Sequence, residues 1–423
     1  MPASQPSPHA SKTVLPNGVR VVTERLDHVD SVSLSICSLT GSRSDPPGFE
    51  GIAHFLEHMF FKGTASHTAR QIAEATDDIG GNANGVTDRE ELHLYARTTH
   101  DQAEIALELL FDLLLNSTCA QEDISREREV VSQEIAQVQD APEDWMHEMV
   151  PPTVWPGHPL GRPLMGTSET VAAIGSDSMR RFLAEEVYVP DRLLVVAAGR
   201  VEHDRFAELT ARLAGDLHRR PPRANEPAPR FNSDRLLIPQ NGQQVHFCRV
   251  SPGIPRTHET RHAFAVLDTL LGGGSSSRLF QEIRENRSLA YEISSYLQSY
   301  RDAGLFVITG GAAPSKFQLV LDLVDREIAR LRAEGPSAEE LARAKVQIKV
   351  SLALAAESTG YRMYHLMTSE AYWGEVLPFA EIAAGIDRVT VEDVHALSQQ
   401  ALAPDGCAVV AIGPLDGEGG EDG

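Results

Sequence analysis

At 423 residues, the chain is too long for one ordinary hydrophobic core and suggests two domains of roughly 200 residues each. Its 42% hydrophobic and 23% charged residues are typical of a globular protein, and its apolar runs are short and interrupted by charge, which argues against a membrane span. A formal net charge of −22 argues against a nucleic-acid partner, because the phosphates would be repelled.

The N-terminal residues 1–11 lack both the apolar stretch of a secretory signal and the arginines of a mitochondrial presequence. We therefore expect a flexible start, a cytoplasmic location and no membrane partner. The cysteines stand in apolar surroundings without paired spacing, which favours free, buried thiols over disulfides. They are Cys37, Cys119, Cys248 and Cys407.

Strand patterns open the first half of the chain, at residues 18–26 and 29–39. A helix is predicted next, from the turn at Pro46-Pro47-Gly48 to about Gly63, and it carries the sequence HFLEH. In this helix His54 and His58 lie one turn apart on one face, so two imidazoles can reach a single zinc ion.

Glu57 projects toward the same side of the predicted helix. A carboxylate in that place can take a proton from a zinc-bound water without being a ligand itself. The HFLEH motif alone does not establish a metal site, because a histidine pair on a solvated helix face would have the same sequence.

Apolar periodicity predicts two further helices, at residues 101–115 and 125–139. The second helix offers a third metal ligand, because Glu127 and Glu134 are seven residues apart and so point in one direction. Composition alone would favour the alternative, that Glu127, Glu129 and Glu134 are solvated surface charges.

The segment rich in proline and arginine at residues 217–233 predicts a linker near the middle of the chain. It separates a first domain at 12–216 from a second domain at 234–415, which is followed by a disordered acidic tail at 416–423.

The two halves look like copies of one another. Residues 176–199 and 390–413 each predict a helix N-cap, a helix, a Pro-Asp turn and an apolar strand that ends at glycine. Matched residues keep one constant offset: Ser176 with Thr390, Pro190 with Pro404, Asp191 with Asp405, and Gly199 with Gly413. A repeat of this size indicates a duplicated α+β domain.

HFLEH followed, after 75 intervening residues, by the glutamate of EREVVSQEI resembles the pitrilysin/insulinase metallopeptidases, the inverted-motif zincins. The most similar type is the mitochondrial processing peptidase beta subunit with its bacterial relatives. The resemblance extends from LPNGVRVV to VVAIGPL, nearly the whole chain.

This resemblance implies the ligand set: His54, His58 and Glu134 bind one zinc ion per chain. It also makes Glu57 the general base and Glu127 a residue that supports the site. The implied fold is α+β, with two homologous domains, each a mostly antiparallel sheet covered by helices, facing one another across a chamber.

The resemblance extends to substrate-binding segments. GGNANGVTDREELHLYA is similar to a family strand that pairs with extended substrate, and it places Asn84 among the recurring polar residues. Gly85 and Leu92 depart from the usual alanine and threonine there. SSSRLFQEIRENRSLAYEISSY resembles the family's substrate clamp, with Arg284 and Tyr291 at the matching positions.

We therefore expect a zinc-dependent endopeptidase that hydrolyses short or unfolded peptides bound in extended conformation. Because one chain carries both the zinc motif and the clamp, a homodimer is expected, and a heterodimer with a paralogue that lacks the motif is the rival. The alternative function is a peptide-binding or structural subunit that is active only in a complex with such a paralogue.

Overall fold

A computed structural model describes residues 10–219, 226–403 and 406–415. The chain divides into two compact units, each assembled from three segments. Unit 1 comprises Met1–Ala136, Arg162–Glu226 and Leu354–Pro378; unit 2 comprises Gln137–Gly161, Pro227–Ala353 and Phe379–Gly423.

The strands are β1 (Ala10–Val14), β2 (Arg20–Arg25), β3 (Ser31–Ser38), β4 (Asn82–Thr87), β5 (Leu92–Thr99), β6 (Leu193–Gly199), β7 (Arg235–Pro239), β8 (Val245–Pro252), β9 (Ala290–Ser299), β10 (Gly304–Ala312) and β11 (Ala408–Gly413). The helices are α1 (Ile52–Phe60), α2 (Ala69–Asp78), α3 (Ala103–Asn116), α4 (Gln121–Asp140), α5 (Pro142–Val154), α6 (Ser168–Ala173), α7 (Ser176–Phe182), α8 (His203–Ala214), α9 (Arg261–Leu271), α10 (Phe317–Glu334), α11 (Ala338–Ala355), α12 (Thr359–Trp373), α13 (Phe379–Arg388) and α14 (Val391–Ala401).

Unit 1 is built on a six-stranded sheet in the order β1-β2-β6-β3-β5-β4. Its neighbouring strands are antiparallel except β2 and β6, which are parallel. One face forms a buried cluster with the helices, in which Leu107 and Phe111 of α3 join Leu34 and Leu94 of the sheet. Fully burying one such side chain contributes about 1.5–3 kcal/mol.

The other face of this sheet is covered by α12, whose Leu366 and Met367 join Val22 and Val196 in a second cluster. Glu370 of α12 is fully buried and receives the Lys12 ammonium group at 2.7 Å and the Arg20 guanidinium at 3.1 Å. A buried carboxylate needs such partners, so these ion pairs fix where the helix docks.

Unit 2 contains a five-stranded sheet in the order β7-β11-β8-β10-β9. Phe264 of α9 and Val320 of α10 pack on one face with Phe306. The opposite face is covered by α5, through Met146 and Val150. Among the described residues, each sheet therefore packs against several helices on one face and against one long helix, α12 or α5, on the other.

The predicted duplication is confirmed by the topology. Without β1, the first sheet reads β2-β6-β3-β5-β4, which matches β7-β11-β8-β10-β9 strand for strand. In both sheets the strand that ends the repeated segment, β6 or β11, is parallel to one neighbour and antiparallel to the other. The predicted α+β class with two related, mostly antiparallel sheets is therefore confirmed, while the chamber between them stays a prediction.

Local details of the repeat differ between the copies. Thr390 is the N-cap of α14, and its hydroxyl accepts the Asp393 N–H at 3.1 Å, as predicted. In the first copy the cap is Gly175, and Ser176 is the first helical residue. Pro404 and Asp405 lie outside the described residues, as does the predicted tail at 416–423.

The compact units also differ from the continuous segments 12–216 and 234–415. Helix α5 of the first half lies in unit 2, and α12 of the second half lies in unit 1. Apolar residues that alternate onto both faces of a central strand, such as Leu194 and Val195 of β6, require cover on both sides. Sequence periodicity does not say which helix supplies that cover.

The flexible start predicted for residues 1–11 is wrong at its end, because Ala10 and Ser11 pair with Glu24 and Thr23 in the sheet. Residues 1–9 lie outside the described part. All cysteines are free, as predicted; Cys407 is half-buried and the others are buried. Among the described helices, each is too short or too polar to cross a bilayer.

One ion pair of unit 2 gives a pH-dependent contribution to stability. Arg278 binds both carboxylate oxygens of Glu340, at 2.7 and 2.8 Å, near the start of α11. Burial alone would raise the pKa of Glu340, but the hydrogen bonds from Arg278 and Ser337 outweigh it and lower the pKa to about 2.

We predict that Glu340→Gln lowers the stability of unit 2 by about 1 kcal/mol at pH 7, a value that allows for solvent screening of a partly exposed pair. A carboxyl group whose pKa is lowered on folding stabilises above its unfolded pKa, and that contribution is lost as pH falls from about 4.5 to about 2. Thermal unfolding from pH 8 to pH 2 measures this, with Glu339→Gln on the exposed neighbour as the control. An equal loss for Glu340→Gln at every pH would contradict the assignment.

Candidate metal centre

Helix α1 carries the HFLEH sequence and begins at Ile52, four residues later than the turn at Gly48 suggests. Gly48 and Gly51 have φ values of 83° and 90°, the left-handed region that favours glycine, so the helix cannot continue back through them. Asp45 replaces the missing first turn: its carboxylate accepts the N–H groups of Gly51 at 2.7 Å and Ala53 at 3.2 Å.

Helix α4 brings a third side chain to the two histidines. Glu134 Oε2 lies 3.7 Å from His54 Nε2 and 3.5 Å from His58 Nε2. Within the described ranges, these three residues are the one group whose ligand atoms could converge on a metal ion. Two ligand atoms of a tetrahedral zinc with bonds of 2.0–2.1 Å are about 3.3–3.4 Å apart, which is close to the observed spacing.

Within the part of the chain that the structure describes, the Glu134 oxygen that faces the two histidines lacks a hydrogen-bond partner. Glu134 Oε2 is buried and accepts no hydrogen bond from the described residues. A buried carboxylate oxygen without a donor is costly, and a cation removes that cost. The donor set of two imidazoles and one carboxylate, with room for one more ligand, is that of a catalytic zinc site.

His54 is held in the neutral form that a metal requires. Burial and, as a smaller effect, the nearby His58 together lower the pKa of His54 to about 4. The two rings lie edge to face with centroids 4.8 Å apart. At neutral pH the Nε2 lone pair of His54 is therefore free for a ligand bond.

Glu127, two turns before Glu134, lies behind His58. Its Oε1 is 3.1 Å from His58 Nδ1, and its Oε2 is 2.7 Å from Lys62 Nζ. A metal ion bound at Nε2 of His58 would place the ring proton on Nδ1, which would then donate it to Glu127 Oε1. This contact with the outer nitrogen orients the ring.

Glu57 points to β4 from the same helix. Burial raises the pKa of Glu57 above its usual value, and hydrogen bonds from the Thr87 side chain and backbone oppose that rise. A Cβ atom on Gly85 would come within 2.7 Å of Glu57 Cγ. The glycine at this position therefore leaves room for the glutamate beside the strand.

Within the part of the chain that the structure describes, strand β4 is an edge strand of the unit 1 sheet and pairs with β5 alone. Its outer side therefore offers free backbone groups for another strand. Asn84 is exposed and lies on the face opposite Gly85 and Thr87, because strand residues alternate between faces. Its side-chain oxygen accepts the Gly85 N–H at 2.9 Å.

The predicted clamp residues lie in unit 2. The Arg284 guanidinium stacks on the rings of Phe280 at 4.6 Å and Tyr291 at 4.9 Å, so the two predicted residues do meet. The side chain of Tyr291 is 77% exposed, so it is not part of the hydrophobic core. Both residues line a cavity of about 520 Å³ beside the glycine-rich turn at 272–274.

Comparison with known proteins agrees with the chain-long resemblance. Residues 20–168 match the family described as insulinase (peptidase family M16), and residues 174–348 match the peptidase M16 inactive domain. The chain belongs to the insulinase family. The second match begins within the first half of the chain, and residues 174–348 contain no H-x-x-E-H motif.

Bacterial relatives are similar over nearly their whole length. The uncharacterized zinc protease YmxG of Bacillus subtilis is 36% identical over 94% of this chain and 97% of its own. An uncharacterized zinc protease of Streptomyces coelicolor is 37% identical over 96% of this chain and 89% of its own.

Solved structures share the fold at low identity. The peptidase M16 inactive domain from Pseudomonas fluorescens has a TM-score of 0.90 at 20% identity, covering 97% of this chain and all of that one. A protease from Helicobacter pylori has a TM-score of 0.88 at 20% identity, with the same coverage.

Sequence reasoning identified the five charged and imidazole side chains of the centre but missed three that fix them. Asp45 lies in the turn before α1 and caps that helix. The sequence pattern that could have identified it is an acidic residue shortly before a helix whose N-cap residue, Gly51, has no side chain to cap it. Lys62 is one turn beyond His58, a spacing that could have been noticed. The closeness of Gly85 to Glu57 has no local signal, because it arises from packing.

We predict that the purified chain binds one equivalent of zinc and that His54→Ala and Glu134→Ala abolish binding near neutral pH. Zinc should raise the unfolding temperature of the wild type, since a ligand that binds only the folded state stabilises it. Elemental analysis after dialysis, together with thermal unfolding with and without zinc, measures both effects. His100→Ala, an exposed histidine, is the control; full zinc retention by His54→Ala would refute the assignment.

Proposed function

We propose that this chain is a zinc-dependent endopeptidase acting on short or unfolded peptides. The observation that carries the proposal is the convergence of His54, His58 and Glu134 with Glu57 beside them. The names of the bacterial relatives support zinc and proteolysis, and the family membership supports peptide-bond hydrolysis.

His54, His58 and Glu134 would hold the zinc ion. When bound, zinc supplies a Lewis acid that activates water and polarises a peptide carbonyl. The protein's part is to present two imidazoles and one carboxylate together, with His54 buried and His58 and Glu134 half-buried. Electrostatic effects are stronger in such a place than in bulk water.

Glu57 acts as the general base in this proposal. Its carboxylate accepts a proton from the attacking water and returns it to the nitrogen of the leaving amine. Burial raises the pKa of Glu57, which makes it a better proton acceptor than a solvated glutamate. The Thr87 contacts and the space at Gly85 hold that carboxylate beside the edge strand.

Substrate would bind by strand addition to β4. Backbone hydrogen bonds along an exposed edge recognise any extended peptide with little regard for its side chains. In this proposal Asn84 contributes as part of the edge strand β4, because its side-chain oxygen already accepts the Gly85 N–H within that strand. Folded proteins cannot offer a free extended segment, so short or unfolded peptides are the expected substrates.

Arg284 and Tyr291 are proposed to contact the substrate carbonyl and to stabilise the developing oxyanion through a guanidinium and a phenol. Preorganised donors of this kind account for a large share of acyl-transfer catalysis. The stacked, exposed arrangement of the pair supports a binding role.

The second candidate is a peptide-binding or structural subunit that works only with a paralogue. One observation supports this second candidate: residues 174–348 match a family described as an inactive domain. The intact set His54, Glu57, His58 and Glu134 favours the enzyme, because a scaffold has no need of a complete metal site. The predicted homodimer and its heterodimeric rival are separable by the solution mass of the isolated chain.

We predict that Glu57→Gln retains zinc but loses peptide cleavage by at least about a hundredfold, as expected for removal of a general base. Mass spectrometry of a mixed peptide library, digested by wild type and variant, measures the loss and maps the cut sites. Glu129→Gln, on the exposed side of α4, is the matched control and should cleave like the wild type. If the zinc-loaded wild type and Glu57→Gln are equally inert, the subunit alternative is the better account.

A further inference from the structure

The loop after α1 carries a lysine that reaches into the metal centre from outside. Lys62 follows His58 by one turn, and its Nζ lies 2.7 Å from Glu127 Oε2. The other oxygen of the same carboxylate lies 3.1 Å from His58 Nδ1. Lysine, glutamate and histidine therefore form one chain of contacts that ends at a proposed zinc ligand.

Glu127 depends on this lysine for its orientation. Its side chain is only 7% exposed, and a buried carboxylate must be paired. Among the described residues, Lys62 and His58 are its charged or ionisable partners. Without the ammonium group, one of the two oxygens loses its partner, and the carboxylate is free to rotate away from the imidazole.

The lysine is itself held in place. The Lys62 N–H donates to Met59 O at 3.1 Å, which continues the last turn of α1. The residues that follow are tied down by bridges from Gly63 to Thr68 and from Thr64 to Ser117. The ammonium group therefore starts from a fixed backbone, although its side chain is 37% exposed.

The two histidines differ in this outer support. His54 Nδ1 is buried and has no hydrogen-bond partner within the described residues. The His58 ring is oriented by the contact of its Nδ1 with Glu127. Loss of that contact would therefore affect one of the three proposed ligands. Removing an outer partner of a ligating histidine costs about 10–100-fold in metal affinity.

We propose that Lys62 is a positioning residue of the metal centre. It holds the Glu127 carboxylate so that one oxygen accepts the His58 Nδ1–H, which leaves His58 Nε2 directed at the metal. The inference rests on the proposed zinc site, and it adds a residue on which the site's affinity depends.

The competing explanation is an ordinary surface ion pair, which contributes about 0–1 kcal/mol to folding and nothing to metal binding. The chain offers a matched case in unit 2. Lys349 Nζ lies 2.7 Å from Asp387 Oδ1, and the lysine side chain is 35% exposed. Lys349→Met therefore removes a pair of the same length, with a lysine of similar exposure, that is not connected to His58. Its acid, Asp387, is 55% exposed, which makes it an ordinary surface pair.

The test is zinc affinity, measured by competition with a chromogenic chelator on the metal-free full chain at pH 7.5. We expect Lys62→Met to weaken zinc binding about 10–100-fold, Lys62→Arg to restore it to within about threefold, and Lys349→Met to leave it unchanged within about twofold. Thermal unfolding of each metal-free variant checks that it folds, and Lys62→Gln replaces Lys62→Met if that variant does not.

A double-mutant cycle with Glu127→Gln tests the route of the effect. If Lys62 acts through Glu127, adding Lys62→Met to Glu127→Gln weakens zinc binding by no more than about a further twofold. Independent, multiplying losses overturn the proposal, as does wild-type affinity in Lys62→Met. A wild type that binds no zinc at pH 7.5 refutes the proposed metal site and this inference together. A wild type that binds zinc but cleaves no peptide refutes only the peptidase.

Discussion

Two imidazoles and one carboxylate from different helices must lie within reach of one ion, and much of unit 1 serves that requirement. His54 and His58 lie one turn apart on α1, but Glu134 belongs to α4 and follows His58 after 75 intervening residues. In this arrangement Glu134 Oε2 is buried and has no hydrogen-bond donor among the described residues. Burying a carboxylate oxygen without a donor destabilises the folded state. A cation at this point resolves the cost.

The start of α1 is built to the same end. Asp45 caps the helix, its own carbonyl accepts Arg162 Nη1 at 2.6 Å, and the Arg162 carbonyl accepts Arg89 Nη1 at 2.6 Å. Burial raises the pKa of Asp45 well above its usual value, while the two N–H groups of the helix oppose that rise. The helix that carries the ligands is thereby tied to segments far away in the sequence, so its position depends on the folded unit.

The sequence predicted the α+β class, the duplication and the five central side chains because each has a periodic or spaced signature. His54 and His58 follow the helical period, and Glu127 and Glu134 keep it on α4. It did not predict the exchange of α5 and α12, since apolar stripes identify a buried face without naming the sheet that buries it. It missed Gly85 for a similar reason: the residue matters through a neighbour 28 positions away.

Zinc K-edge X-ray absorption on the zinc-loaded protein tests the central claim most directly, because it reports the ligand atoms without reference to activity. The account predicts a first shell of nitrogen and oxygen at about 2.0–2.2 Å, with the scattering of two imidazole rings, and the loss of one ring in His58→Ala. Sulfur scattering at about 2.3 Å, or a spectrum unchanged by His58→Ala, would contradict it.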